Sequence, residues 1–127
     1  MLLLILFVLF YIVIDNRNAK VTVEELVNNY SIDRQSADKN YLNTDIELTG
    51  KFKSFLQSAN GENYVQLESS NNLMNVYCII EASILLERTS VITSGTQIVI
   101  FGKCLGLKED TFDSSLTSIY IETKNIK

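Results

Sequence analysis

The chain has 127 residues, 46% of them hydrophobic, with 11 Lys and Arg against 15 Asp and Glu for a net charge of −4, which fits one domain plus an appendage. The acidic balance opposes long-range attraction to phosphate backbones. The absence of His removes the commonest general base and metal ligand, so a hydrolase or metalloenzyme is not expected, and no motif calls for a cofactor.

Residues 1–14 (MLLLILFVLFYIVI) contain no charge, Gly or Pro. As a helix such a run rises about 21 Å, short of the ~30 Å hydrocarbon core. Asp15, Asn16 and Asn18 end it, and Arg17 and Lys20 have stems long enough to snorkel to headgroups. Nothing basic precedes Leu2, no small-x-small site follows, and no Cys succeeds the run to make a lipoprotein anchor. The reading is an uncleaved apolar anchor helix over residues 1–19, touching the membrane through Met1 to Ile14. The rest of the chain is expected on the extracytoplasmic side, although Arg17 and Lys20 cast a small positive-inside vote the other way.

Residues 20–43 read as a linker helix. Thr22 and Glu25 form a capping box, and Val23, Leu26, Val27 and Tyr30 fall at helical spacing, with Ala37 and Tyr41 continuing the stripe after a break near Ser31. From Thr44 the period becomes that of strands. Ile46 and Leu48 alternate with polar residues until Gly50 marks a bulge or bend, followed by Lys51-Phe52-Lys53. Asn60-Gly61 supplies a hairpin turn, Tyr64 to Glu68 is a second strand and Met74 to Ile80 a third. Glu81 to Ser90 carries a short helical stripe. Gln97 to Cys104 is a fourth strand, and Ile119 to Thr123 a fifth, after a polar, acidic loop from Lys108 to Ser115.

Five strands with a helix between the third and fourth is the order of an OB-fold barrel. The prediction is therefore a mainly β chain: anchor at 1–19, linker helix at 20–43, OB-fold domain at 44–127.

Strand parity turns Val65, Leu67, Val76, Cys78 and Ile80 inward. Tyr64, Gln66, Asn75, Tyr77 and Ile79 face outward, beside Lys51 and Lys53 on the first strand. Two tyrosines next to two lysines suit base stacking and phosphate contact; the same residues also make an ordinary outer sheet face. Val99 and Phe101 point outward as well, either under the helix at 22–41 or as a protein-docking patch. Glu109, Asp110 and Asp113 lack the spacing of a calcium loop and read as solvated. Cys78 and Cys104 read as two buried small hydrophobes, or as one disulfide if the domain meets an oxidising compartment.

Residues 37–126 resemble the bacterial family of small tRNA-anticodon-like OB-fold proteins. The resemblance lies in Ala37-x-x-x-Tyr41, Ile46-x-Leu48-Thr49-Gly50-Lys51-Phe52, Val76-x-Cys78 and Gly95-x-x-Ile98-x-Ile100-x-Gly102-Lys103-Cys104-x-Gly106. It implies the OB fold and places both cysteines at positions where the family has them; the 107–118 loop is longer than the family pattern. A shared fold does not set a function. The expectation is a non-enzymatic interaction module at a membrane surface, engaging a protein partner through a sheet face or edge. The alternative is an oligonucleotide- or oligosaccharide-binding domain that uses the face of the second and third strands.

Overall fold

The computed structural model describes residues 19–84 and 92–127. The expected anchor at 1–14, and the part of the expected helix at 85–90, lie outside the described residues. Among those described, no helix is long and apolar enough to cross a membrane.

The elements run β1 (Ala19–Thr22), α1 (Val23–Ile32), α2 (Arg34–Tyr41), β2 (Asp45–Gln57), β3 (Asn63–Leu67), β4 (Val76–Ile80), β5 (Gln97–Glu109) and β6 (Thr117–Ile126). The sheet order is β1-β2-β3-β4-β6-β5, and β2 also pairs with β5. That extra pairing closes β2 to β6 into a five-stranded barrel. Within the barrel, neighbouring strands are antiparallel except β4 and β6, which are parallel. β1 lies parallel to the start of β2, from Ala19↔Ile46 to Thr22↔Thr49. Between β4 and β5 the chain turns helical at 82–84.

The segment expected as one linker helix is instead a strand and two helices. Thr22 caps α1 as its sequence predicts, accepting from the Glu25 N–H at 3.2 Å. Asp33 breaks the run: its N–H donates to Asn29 O at 3.1 Å, while its carboxylate accepts from the Ser36 N–H at 3.3 Å and starts α2. Asp competes well for helix ends and poorly for helix middles, which accounts for the interruption.

Nor is this segment a linker. Val23, Leu26, Val27, Tyr30 and Ala37 belong to the same buried cluster as Ile46, Leu48, Leu67, Ile100, Cys104 and Ile121. The α1 helix sits against the bend of β2: a Cβ at Gly50 would lie 2.5 Å from Val23 Cγ2. Leu26 is fully buried, so Leu26→Ala is expected to cost about 3 kcal/mol by transfer and cavity terms, read as a fall in the urea midpoint. A loss below about 1 kcal/mol would mean the helix is not part of the core.

The two cysteines are free and buried, and the register explains why the disulfide alternative fails. Cys78 on β4 and Cys104 on β5 are both partners of Ile121 on the intervening β6. Two strand spacings put their Cα atoms about 9–10 Å apart, beyond the ~7 Å that a disulfide spans. Burial pushes both thiols above the usual range. Val99 and Phe101 stay half-exposed; the helices do not shelter the Phe101 ring, over which Lys127 Nζ stands 5.5 Å from the centroid.

Candidate ligand-binding face

On the outer surface of β3, β4 and β6 the ladders place Tyr64 beside Ile79, Gln66 beside Tyr77, and Tyr77 beside Tyr120. Parity thus brings Tyr64, Gln66 and Tyr77 together as expected. It does not leave them open to solvent. Tyr64 and Tyr77 are 3% exposed and Gln66 8%, because the 110–116 loop between β5 and β6 folds back across them.

Phe112, in that loop, packs edge-on against Tyr64 with centroids 5.6 Å apart and lies tilted against Tyr77 at 5.5 Å. Tyr120 completes a second buried cluster, 6.2 Å from Tyr64 and 5.5 Å from Tyr77. Phe112 itself remains 42% exposed. The tyrosines hold the residue from one side, and a good part of it meets water.

Asp110 pins the loop. It is 3% exposed, and its Oδ2 accepts from Ser118 Oγ at 2.6 Å and Asn75 Nδ2 at 3.1 Å. Its Oδ1 accepts from the Phe112 N–H at 2.8 Å, the Asp113 N–H at 3.0 Å and the Tyr77 hydroxyl at 3.3 Å. Burial alone would raise this carboxyl's pKa. The hydrogen bonds from Ser118, Asn75, the Phe112 amide and Tyr77 outweigh burial and hold it below the ordinary carboxylate range.

The tyrosine hydroxyls are all engaged. Tyr64 donates to the Glu62 carboxylate, and Tyr120 accepts from the Thr111 N–H at 2.8 Å and donates to Glu109 O at 3.3 Å. Burial first, then the neighbouring carboxylates, push Tyr64 and Tyr77 above the usual phenol range. A solvated acidic loop is thus the wrong picture for Asp110, whose carboxylate is the polar centre of a packed lid.

Lys51 and Lys53 are exposed on β2, but they form no common surface with the tyrosines. Lys51 pairs with Gln97 and lines a separate cavity of about 350 Å³ with Thr22, Thr49 and Glu68. Lys53 sits at the register shift between Phe52 and Ser54. Near Phe112 the exposed charges at 62, 109 and 113 are all acidic, and Lys108 is the exposed base on that loop's stem.

Asp110, Phe112 and Tyr120 are the residues that sequence reasoning missed. The usable signal was the parity of β6. A strand beside β4 that turns Ile119 and Ile121 inward must put Tyr120 on the tyrosine face, leaving a loop Phe within reach of it.

A family model described as tRNA_anti-like matches residues 3–112. No curated protein matches the sequence. Among solved structures, the chain is similar to a protein from Klebsiella pneumoniae provisionally named a nucleic acid-binding lipoprotein, at 14% identity and a TM-score of 0.56, covering 87% of this chain and 90% of that one. It is also similar to a protein from Leishmania major provisionally named an aspartyl-tRNA synthetase, at 9% identity and a TM-score of 0.54, covering 87% of this chain and 20% of that one. The asparaginyl-tRNA synthetase of Entamoeba histolytica matches at 11% identity and a TM-score of 0.52, covering 87% and 23%. The chain therefore spans about a fifth of the two synthetase-like chains. At these identities the likeness is one of fold.

Proposed function

The chain belongs to the tRNA_anti-like family, and from that premise we propose that its OB barrel is a non-catalytic module binding single-stranded oligonucleotide through the Phe112 rim. OB barrels take ligands across the face corresponding to β3 and β4, between the loop that joins β2 to β3 and the loop that joins β5 to β6. The observation that carries the reading is the Phe112 ring, half-open to water and fixed from behind by Tyr64 and Tyr77. A rigid aromatic ring loses little freedom when a base stacks on it. The neighbouring names support the ligand class: one structural relative is provisionally named as nucleic acid-binding, one provisionally as an aspartyl-tRNA synthetase, and one is an asparaginyl-tRNA synthetase. This reading replaces the protein-docking expectation, which the comparisons do not support.

Stacking must dominate here, since the net charge is −4 and acids surround the ring. Base–aromatic stacking is worth about 1–3 kcal/mol per base, so Phe112→Ala should weaken binding of a labelled single-stranded 12-mer by about tenfold or more. The salt dependence should be shallow, because few phosphates are neutralised. Fluorescence anisotropy across a salt series checks both. Unchanged affinity in Phe112→Ala, or no oligonucleotide binding by the wild type at millimolar protein, would refute the reading. Tyr64→Ala and Tyr77→Ala are expected to lower stability together with binding, since both rings support the loop.

A further inference from the structure

The geometry points to Asn60 as a modification site, where loss of the side-chain amide leaves aspartate or isoaspartate on one wall of the Phe112 rim. The effect on binding rests on the oligonucleotide reading above; the modification itself does not.

The chain has one Asn-Gly step, Asn60-Gly61, and every other Asn precedes a residue that carries a side chain. The step lies at the tip of the β2–β3 hairpin, and both residues are exposed. Gly61 adopts φ +85°, and nothing stands within 4 Å of the place a Cβ would take. With no side chain to shield it, the Gly61 nitrogen can approach the Asn60 side chain without a clash.

In the reaction the Gly61 nitrogen attacks Asn60 Cγ. A new N–Cγ bond forms, the Gly61 amide proton departs, and the side-chain nitrogen leaves as ammonia, giving a cyclic succinimide. Water then opens the ring. Breaking the new N–Cγ bond leaves aspartate. Breaking the bond from the Gly61 nitrogen to the Asn60 backbone carbonyl carbon leaves isoaspartate, with the chain rerouted through Cγ. The balance is Asn plus water to Asp plus ammonia, and neither oxidant nor reductant takes part.

The Gly61 N–H donates to Ser58 O at 3.0 Å and closes the turn, so this bond must open before attack. It sits at an exposed hairpin tip, where local opening is frequent, and one such bond holds the rate back by about tenfold or less. Other asparagines are held more firmly. Asn28, Asn29 and Asn40 lie in helices and Asn63 in β3. Asn71 Oδ1 accepts from the Leu73 N–H at 2.9 Å while its Nδ2 donates to Ser31 Oγ at 3.0 Å.

The loop carrying Asn60 joins β2 to β3 and is one of the two walls of the ligand face in an OB barrel. Glu62, two residues on, already accepts from the Tyr64 hydroxyl, and the Tyr64 ring lies 5.6 Å from that of Phe112. A further carboxylate near Glu62 raises the negative charge that a phosphate chain meets. Isoaspartate also lengthens the turn by one backbone carbon, where the Ser58 N–H donates to Glu62 O at 2.9 Å. The change runs one way, so affinity falls as the protein ages.

The full chain, incubated warm at mildly alkaline pH, is mapped by peptide mass spectrometry, with enzymatic methylation marking isoaspartate. Asn60 is expected to convert ahead of the other asparagines, at a rate within about tenfold of a free Ser58–Asn63 peptide. Asn60→Asp should bind a labelled single-stranded oligonucleotide about two- to fivefold more weakly at low salt, the worth of one exposed charge contact. High salt should erase the difference. Incubated Asn60→Gln, whose longer side chain closes a ring slowly, should keep the affinity that incubated wild type loses. Asn60 left intact while the free peptide converts, or converted no faster than the other asparagines, overturns the site. Equal affinity of wild type and Asn60→Asp at low salt overturns its effect on the rim. A wild type that binds no oligonucleotide refutes the Phe112 reading instead, and the mapping still decides the modification.

Discussion

Asp110→Ala is expected to lower stability at neutral pH by about 3–5 kcal/mol, a large part of what a small domain has. The carboxylate accepts five hydrogen bonds, three of them from side chains on other parts of the surface: Ser118, Asn75 and Tyr77. Alanine leaves those donors, and the amides of Phe112 and Asp113, without their acceptor at a site that is 97% shielded from water, since Asp110 is only 3% exposed. Each orphaned buried donor costs about 1–3 kcal/mol unless water reaches it. The loop should therefore lift and let water in, which caps the loss and exposes Tyr77 and Tyr120. Urea midpoints give the energy, and amide exchange over residues 110–116 reports the loop.

The same residue sets an acid limit. A carboxyl held below its ordinary pKa of about 3.9 stabilises the fold fully above that value, and the contribution fades as pH falls towards the native pKa. The gap between wild type and Asp110→Ala should be full at pH 7 and narrow by pH 3. A gap that is constant across this range, or below about 1 kcal/mol at pH 7, would show that the carboxylate does not hold the loop.

Gly102→Ala should be worse. The Cβ it adds would stand 2.3 Å from the Glu122 carbonyl oxygen and 3.0 Å from its carbon. Gly102 lies where β5 is paired on both sides, to Ile46 of β2 and Thr123 of β6. The obstructing atoms are backbone on a paired strand, so no rotamer change relieves the clash. Relief requires β5 and β6 to part by about 1 Å, which breaks ladder hydrogen bonds at the closure of the barrel. The expected outcome is failure to fold or a loss above about 4 kcal/mol, seen as lost soluble yield and lost β-sheet circular dichroism. A Gly102→Ala protein melting within a few degrees of wild type would mean that the strands separate more readily than this packing implies.

How far the sequence reached depended on the range of the interaction involved. Alternation in Ile46-Leu48, Val65-Leu67, Val76-Cys78-Ile80 and Ile98-Ile100 is local, and all of these residues are buried in the barrel as their parity predicts. The Thr22 cap is local too. Gly50 was visible as an interruption, but its reason lies in Val23, and the reasons for Gly102 and Gly106 lie in Glu122 and Leu42, which approach from elsewhere in the chain.

Strand ends were under-read for the same reason. β2 and β5 each run for 13 residues, because a long strand can bend at a glycine and serve two neighbours in turn. Ala19 was read with the anchor and residues 20–22 with the helix that follows, and pairing with Ile46 to Thr49 makes all four a strand. The candidate face failed most instructively. Parity correctly put Tyr64, Gln66 and Tyr77 on one side, yet their cover depends on Asp110, whose partners are Asn75, Tyr77 and Ser118. An Asp in a polar loop carries no mark of being buried until its donors are known.

The closed circuit of strands also governs how the molecule assembles. The β2–β3–β4 meander and the β5–β6 hairpin can each form from neighbouring residues. The seams that unite them are β2 with β5 and parallel β4 with β6, where Asp45 meets Lys103 and Val76 meets Ile119. Those seams join segments up to nearly half the polypeptide apart, so loop-closure entropy is incurred before any of their pairing is gained. That topology predicts a refolding rate set by the meeting of the two seams rather than by the local turns of either half.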